Sequence, residues 1–307
     1  MKTLFTTLLL LLFSLSAYCQ TDTSEMDEQT YRILQNDGTE IIGKILKKDA
    51  REILILTTDG REILVPQYVV KKIEAVSNTD FNAKGVYVGE DKFASRYFLT
   101  TNGLNIKKGE HYVQWNLFGP DVQFAVTDNL GVGAMTSWIG IPLIGTIKYS
   151  KEIDDNTHVA VGALVGFGSW LAPDIGGALP YGTLSFGNRT KNIAFTGGYG
   201  AVWVDGFTEG RALASVAGMA KISSKVSFVF DSFILLPGGE RTVYDWDYLT
   251  GVGSSYTEPR PGFAVLVPGL RWHQSEGTAF QFGFAGILAD GEAIPVPIPM
   301  VQWFRSL

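Results

Sequence analysis

From about residue 94 onward, the sequence alternates between bulky apolar residues and small residues. Residues 191–204 show the pattern best, with one bulky face and one small face: Ile193, Phe195, Tyr199 and Trp203 against Asn192, Ala194, Thr196, Gly198 and Gly200. Such period-two alternation is typical of strands. A soluble sheet would oppose its bulky face with charges, whereas this opposite face is small and weakly polar. The pattern therefore predicts a barrel wall with lipid outside and a lumen inside.

The connections between these segments fall into two groups. Five are short and polar, and they cover residues 127–129, 154–156, 188–190, 223–225 and 274–276. The connections that alternate with them vary in length, and the longest covers residues 237–259. Short turns at one end and longer loops at the other are typical of outer-membrane barrels, in which the short turns lie in the periplasm.

The strand count follows from the end at which the chain enters the barrel. If the N-terminal part is periplasmic, the first strand runs outward, and we assign it to residues 94–104. The second strand then covers residues 111–126, and ten more fit around the remaining connections. The sequence thus predicts an all-β fold, with an antiparallel transmembrane barrel of about twelve strands in residues 94–307.

The N-terminus predicts export. Lys2 precedes an apolar run in residues 8–13, and small residues follow up to Cys19, as in a signal peptide of residues 1–19. Cleavage after Cys19 and lipidation of Cys19 both remain open. Beyond residue 19, no apolar run is long enough for a transmembrane helix. Residues 20–27 are interpreted as a linker.

Residues 28–76 are predicted to form a small SH3-like or Sm-like β domain in the periplasm. Asn36-Asp37-Gly38 and Asp59-Gly60 are hairpin signals between short apolar runs. The domain carries no histidine or cysteine, so a binding or spacer role is expected, with peptidoglycan, a periplasmic protein or the mouth of the barrel as its partner. The polar residues 77–93 are interpreted as a second linker.

Residues with catalytic or metal-binding chemistry are scarce. The three histidines, His111, His158 and His273, lie on separate predicted strands without other ligands at metal-binding spacing, so no metal or cofactor is expected. His273 and Ser275 are two residues apart, which allows a barrel-embedded lipid hydrolase as an alternative. Ser275 falls in the predicted polar turn of residues 274–276, and no third residue is available to orient His273, which favours a non-enzymatic protein. A net charge of −6 argues against nucleic-acid binding.

Two groups of residues are candidates for contact with a solute. Lys148, Asp231 and Arg271 fall on or near the small-residue faces and are predicted to lie in the lumen. Asp231 and Arg271 are assigned to non-adjacent strands, where an interior salt bridge across the barrel is possible. The long loop contributes aromatic and acidic candidates, Tyr244, Asp245, Trp246 and Asp247, which could hold a sugar or calcium or simply cover the mouth.

The last predicted strand contains Pro295, Pro297 and Pro299 at alternate positions. Proline cannot donate to a ladder, so the upper part of this strand should pair weakly, with regular pairing only from about Met300 to Phe304. We assign Ile294, Val296, Ile298 and Met300 to the lipid face and the prolines to the lumen.

Three segments carry a resemblance to a known family: "IKKGEHYVQWNLFGPDVQFAVTDNLGVGAM", "LPYGTLSFGNRTKNIAFTGGYG" and "GILADGEAIPVPIPMVQWF". They resemble a family of uncharacterised Bacteroidota outer-membrane β-barrel proteins over roughly residues 95–307. The resemblance implies a barrel of unassigned activity and no site residues. Members often finish on an aromatic residue that the insertion machinery recognises, whereas this chain ends with Arg305, Ser306 and Leu307.

The sequence therefore predicts a non-enzymatic outer-membrane barrel with a periplasmic β domain. It would act as a narrow, porin-like channel for small solutes or as a structural or docking component. Its expected partners are outer-membrane lipid and the barrel-insertion machinery. A lipid hydrolase and a soluble periplasmic two-domain β protein are the alternatives.

Overall fold

The structure is a computed structural model that describes residues 29–77, 80–81, 85–168, 172–247, 252–275, 277–289 and 292–307. It divides into two compact units, one that ends at Ser77 and one that continues to Leu307. No helix within the described ranges is long and apolar enough to cross a membrane.

The first unit is a five-stranded antiparallel sheet. Its strands are β1 (Thr30–Gln35), β2 (Glu40–Lys48), β3 (Glu52–Thr57), β4 (Glu62–Pro66) and β5 (Val70–Val76), in the order β4-β3-β2-β1-β5. The predicted Asp-Gly signals turn the chain, because Gly38 and Gly60 both adopt positive φ. The alternating apolar residues meet in a core of Ile33, Ile53, Ile55 and Val65. This sheet fits a small β domain, and its SH3-like character stays a prediction.

The second unit contains β6 (Tyr112–Asn116), β7 (Pro120–Ala125), β8 (Leu130–Thr136), β9 (Leu143–Asp154), β10 (Thr157–Gly168), β11 (Ala172–Gly187), β12 (Lys191–Val204), β13 (Phe207–Ser223), β14 (Val226–Leu235), β15 (Glu240–Asp247), β16 (Val252–Pro259), β17 (Phe263–Ser275), β18 (Thr278–Ala289) and β19 (Glu292–Ser306). All of them except β15 and β16 form a closed antiparallel barrel, in which β19 pairs with β6. The prediction of an all-β fold with a twelve-stranded barrel is confirmed.

The assignment of the first barrel strand was wrong. Residues 94–104 belong to no wall strand, and the wall begins with β6. The number of strands nevertheless agrees, because the predicted second strand, residues 111–126, is two strands, β6 and β7, joined at residues 117–119. Within residues 94–104, the neighbours Tyr97 and Phe98 are both buried. In a wall strand, one of two neighbouring side chains would face the lipid.

The height of the wall differs around the barrel. β6, β7 and β8 have five, six and seven residues, whereas β13 has 17. At a rise of roughly 3.4 Å per residue, a five-residue strand is about 17 Å long. β19 pairs with β6 only from Gln302 to Ser306. Among the described residues, no strand pairs with that edge of β19 above Gln302.

Pro299 of β19 has its imide nitrogen on the side of this free edge. Pro299 is opposite Phe284 of β18, and because proline has no N–H, this pair must be of the non-hydrogen-bonded kind. The backbone nitrogen of Pro299, which carries no hydrogen, therefore faces away from β18 and toward the free edge, where proline is tolerated. The ladder to β18 shifts register between Ile294 and Ile298 and is regular from Ile298 to Arg305, close to the predicted limits.

The predicted lipid-facing position of Met300 in β19 was wrong. Met300 is opposite Gly283 and is buried inside the barrel at 5% exposure, while Trp303, on the other parity, is 46% exposed. Ile298 shares the inward parity of Met300. The error arose because Met300 and Phe304 are bulky residues that face inward, whereas the bulky residues of the other wall strands mostly face outward.

The long predicted loop, residues 237–259, is largely a β-hairpin of β15 and β16, in which Glu240 pairs with Pro259 and Asp247 with Val252. Tyr244, Asp245, Trp246 and Asp247 are part of β15, but their side chains lie outside the described part of the structure. Their contact with a ligand stays a prediction.

Candidate functional site: a plug inside the barrel

Residues 91–106, which we call the plug, fill the half of the lumen next to the short turns. The plug contributes Tyr97, Phe98 and Leu104 to a core that it shares with inward residues of the wall, such as Val229 and Met300. A turn in which the Tyr97 N–H donates to the Thr100 carbonyl, at 3.1 Å, reverses the chain. Leu99, in this turn, is the most exposed of the apolar plug residues, at 36%.

The base of the plug is held by Arg271 of β17. Its guanidinium donates to Oδ2 of Asp91 at 2.8 Å and to the Phe93 carbonyl at 2.8 Å, and it also bonds the Arg96 carbonyl at 2.5 Å. Both charged side chains are fully buried. Burial would raise the pKa of Asp91, but the Arg271 guanidinium, His273 and the hydrogen bond from the Phe93 N–H together outweigh it and hold that pKa below its usual range. Asp91 is therefore a carboxylate at neutral pH.

The turn of the plug is held by Asp231 of β14. One carboxylate oxygen accepts the N–H groups of Leu99 and Thr100, at 2.6 and 2.8 Å, and the other accepts the Thr100 hydroxyl at 2.6 Å. Ser215 of β13 lies on the other side of this hydroxyl, with the two side-chain oxygens 3.4 Å apart. Three donors converge on Asp231, as a buried carboxylate requires.

The returning arm of the plug is held by Lys148 of β9. Its ammonium donates to the Thr101 hydroxyl and to the carbonyls of Asn102 and Leu104, at 3.1 to 3.2 Å. Ser185 of β11 accepts the Gly103 N–H at 2.7 Å. An ammonium that meets three oxygens uses all its donors, so this contact is fully satisfied.

Further wall strands bond the plug through side chains that the sequence did not single out. These bonds are Arg96 to Asp121 of β7 at 2.9 Å, the Tyr97 hydroxyl to Asn192 of β12 at 2.5 Å, and Gln302 of β19 to the Phe98 carbonyl at 2.7 Å. Gln281 links Arg271 to Gln302. The plug is thus bonded to wall strands on all sides of the lumen.

The structure places the three predicted lumen residues, Lys148, Asp231 and Arg271, inside the barrel. The possible salt bridge between Asp231 and Arg271 is not formed. β14 and β17 are adjacent rather than separate, and Asp231 is opposite Val267 while Arg271 is opposite Ser227. Each charge binds the plug instead, so the contacts of these residues are to the chain itself. Contact with a solute stays a prediction.

Beyond the plug, the inward residues of the tall strands change from polar to apolar. On β14, Asp231 is followed on the same face by Phe233 and Leu235, and on β13, Ser215 is preceded by Leu213. These residues help to line a cavity of about 750 Å³ in the upper lumen. Its wall also includes Ile144, Leu164 and Leu179, and it extends to the loop ends of β12 and β17 at Val202 and Phe263.

The hydrolase alternative finds no support in the geometry. Ser275 bonds Thr278 rather than His273, with 2.8 Å between the hydroxyl oxygens. His273 instead meets Ser227 at 2.9 Å and Asp91 at 3.5 Å, both through Nε2. One ring nitrogen cannot both take the serine proton and be oriented by the carboxylate, as a triad requires. Ser227 is also fully buried.

The other two histidines have backbone partners. Nδ1 of His111 accepts the Ala125 N–H at 3.1 Å, and Nε2 of His158 lies 3.1 Å from the Gly187 carbonyl. Within the described ranges, no group of three or more histidine, cysteine, aspartate or glutamate side chains could hold a metal ion.

The sequence matches no family model, and no curated protein matches it. Solved structures with a similar fold include the NanC porin, at 12% identity and a TM-score of 0.39, over 64% of this chain and 98% of that chain. The TodX monoaromatic hydrocarbon channel is similar at 6% identity and a TM-score of 0.39, over 67% of this chain and 93% of that chain. The outer-membrane channel DcaP of Acinetobacter baumannii is similar at 9% identity and a TM-score of 0.32, over 94% of this chain and 100% of that chain. Likeness at this level carries no argument about function, which rests on the geometry above.

Proposed function

We propose that this chain is a non-enzymatic outer-membrane protein whose barrel is a narrow channel, closed by the plug in the present state. The short turns and the N-terminal β unit would lie in the periplasm. The observation that carries the proposal is the set of buried polar contacts by which wall strands around the lumen hold residues 91–106.

Insertion in a membrane is supported by the outer face of the barrel. Large apolar side chains are exposed on it, among them Val161 at 62%, Leu270 at 51% and Phe284 at 48%. Exposed apolar area of this extent is unfavourable in water by about 25 cal/mol per Å². A closed ladder, in contrast, satisfies its backbone groups in lipid. Recovery of the protein in the soluble periplasm would contradict this part of the proposal.

A plug that can leave the lumen is supported by the polarity of its attachment. Apolar packing of similar volume would hold a permanent core at least as well as buried ion pairs do. Here the apolar packing of Tyr97, Phe98 and Leu104 is supplemented by polar contacts of Lys148, Asp231 and Arg271, whose partners water could replace in an open lumen. After release of the plug, the same three side chains would line a hydrated passage and could contact a small polar solute.

The test is planar-bilayer conductance of the full chain. The wild type is expected to be silent. Asp231→Asn is expected to show openings, because an amide cannot accept all three donors of the plug turn. Asp155→Asn, in the turn between β9 and β10, is the matched control and should stay silent. If Asp231→Asn is as silent as the wild type, the proposal of a channel is overturned and a structural barrel is favoured.

A docking role is the second candidate, and the N-terminal unit favours it. Its surface exposes Tyr68 at 83%, Leu64 at 54% and Leu46 at 50%. We propose a periplasmic protein as its partner, with peptidoglycan as the alternative. If peptidoglycan sacculi capture the isolated first unit, and Tyr68→Ser does not reduce this capture, peptidoglycan is favoured as the partner.

A further inference from the structure

The upper lumen is apolar, which is unusual for a barrel whose interior meets water. The cavity of about 750 Å³ lies directly beyond the plug, and its wall includes Ile144, Leu164, Leu179 and Phe233. Water in such a cavity finds few hydrogen-bond partners, so an apolar molecule that displaces it gains free energy.

The charged residues in the cavity wall neutralise one another. Glu209 pairs with Arg260 at 2.7 Å and lies 3.9 Å from Arg211. Arg211 also donates to the Pro261 carbonyl at 2.8 Å. The charged residues of the lining, Glu209 and Arg211, therefore already have partners, and neither is available to recognise a charged head group without breaking them.

We infer that the upper cavity is a binding site for a small, uncharged, apolar molecule. The inference rests on the proposed function, because it names the class of molecule that the outer half of the lumen takes. The volume is within the range of about 300–1,000 Å³ that is usual for sites of small ligands. The plug closes the lumen on the side of the short turns, so a molecule in this cavity is held above it.

Gly200 gives a way to fill the cavity without disturbing the wall. It lines the cavity, and a Cβ at this position would meet Leu213 at 3.7 Å and Leu179 at 3.8 Å, which is ordinary contact. Gly197, three residues earlier on the same strand, is on the opposite face, where a Cβ would meet no atom within 4 Å. Gly200→Leu and Gly197→Leu are therefore a matched pair, one inside and one outside the barrel.

The experiment is a fluorescence titration of the detergent-solubilised full chain with phenylnaphthylamine, an uncharged apolar dye, after subtraction of empty micelles. We expect saturable binding to the wild type and to Gly197→Leu. Affinity should fall about tenfold or more in Gly200→Leu, since lost space for even one methylene has an effect of that order. Leu179→Gln, of similar volume but polar, should also weaken binding and serves if Gly200→Leu does not fold.

Anilinonaphthalene sulfonate carries a similar ring system with a negative charge, and it should bind more weakly than the neutral dye. Three outcomes would overturn the inference: equal affinity of Gly200→Leu and Gly197→Leu for the neutral dye, binding that does not saturate, or tighter binding of the sulfonate. The conductance of Asp231→Asn is independent of these results, so failure of the ligand site and failure of the channel are distinguishable.

Discussion

The guanidinium of Arg271, on the barrel wall, donates to the carboxylate of Asp91, at the base of the plug, over 2.8 Å, and both side chains are fully buried. The residues are 180 positions apart in the chain. Neither charge has access to solvent, so each is stable in this place only because of the other. The contact joins the base of the plug to the wall.

Arg271→Met is predicted to loosen the plug. It leaves Asp91 buried without its counter-charge, which costs about 3–5 kcal/mol when one partner of a buried pair is removed. Faster proteolysis within residues 91–106 would report the change. Arg305→Met, which alters an exposed arginine of the same barrel, should have no effect. The double variant Asp91→Leu/Arg271→Met should recover part of the protection, and a single variant as protected as the wild type would refute this role.

Acid is predicted to weaken the same contact only below the ordinary carboxyl pKa of 3.8. Burial raises the folded-state pKa of Asp91, but Arg271 and the other groups around the carboxylate together lower it by more. A lowered folded pKa gives stability that is complete above the unfolded pKa and lost as pH falls through the folded value. The protection factor of the Phe93 amide, which donates to Asp91, measures this. It should be constant between about pH 7 and pH 5 and fall below about pH 4. Asp91→Asn should abolish that fall.

Lys148→Met is predicted to release the returning arm of the plug. The substitution leaves a hydroxyl and two carbonyls buried without their donor, at about 1–3 kcal/mol for each unsatisfied group. Hydrogen exchange should accelerate in residues 101–106. Lys151→Met, on the exposed face of the same strand, is the control. Equal exchange in the two variants would show that the ammonium does not hold the arm.

The barrel was predictable because lipid and lumen impose opposite requirements on alternate residues, as Phe195 and Thr196 show. The same rule failed for residues 94–104, since a segment surrounded by protein can place large side chains at consecutive positions. Tyr97, Phe98 and Leu99 are such a run of consecutive large side chains, and it could have indicated that this segment is not a wall strand. Residues with charges at inward positions, such as Lys148, were identifiable, but their partners were not, because the contacts join residues far apart in the chain.

The prolines of β19 illustrate the same limit. Their spacing correctly indicated a weak ladder, yet the sequence could not show that β6 is short and leaves the edge of β19 free. Pro299→Val is predicted to restore a donor on this edge and to promote edge-to-edge association. Analytical ultracentrifugation in detergent should detect dimers or larger species. Pro237→Val, in the loop before β15, is the control and should leave the oligomeric state unchanged. An unchanged oligomeric state of Pro299→Val would show that the edge of β19 is covered.

Closure of the channel by the plug can be tested with a reversible cross-link. The side-chain oxygens of Thr100 and Ser215 are 3.4 Å apart, so Thr100→Cys/Ser215→Cys can join the plug turn to β13. The only native cysteine, Cys19, lies in the predicted signal peptide. The measurement is single-channel conductance of this pair combined with Arg271→Met. We expect silence when the disulfide is oxidised and openings after its reduction. Equal conductance in the two states would show that the plug does not close the channel.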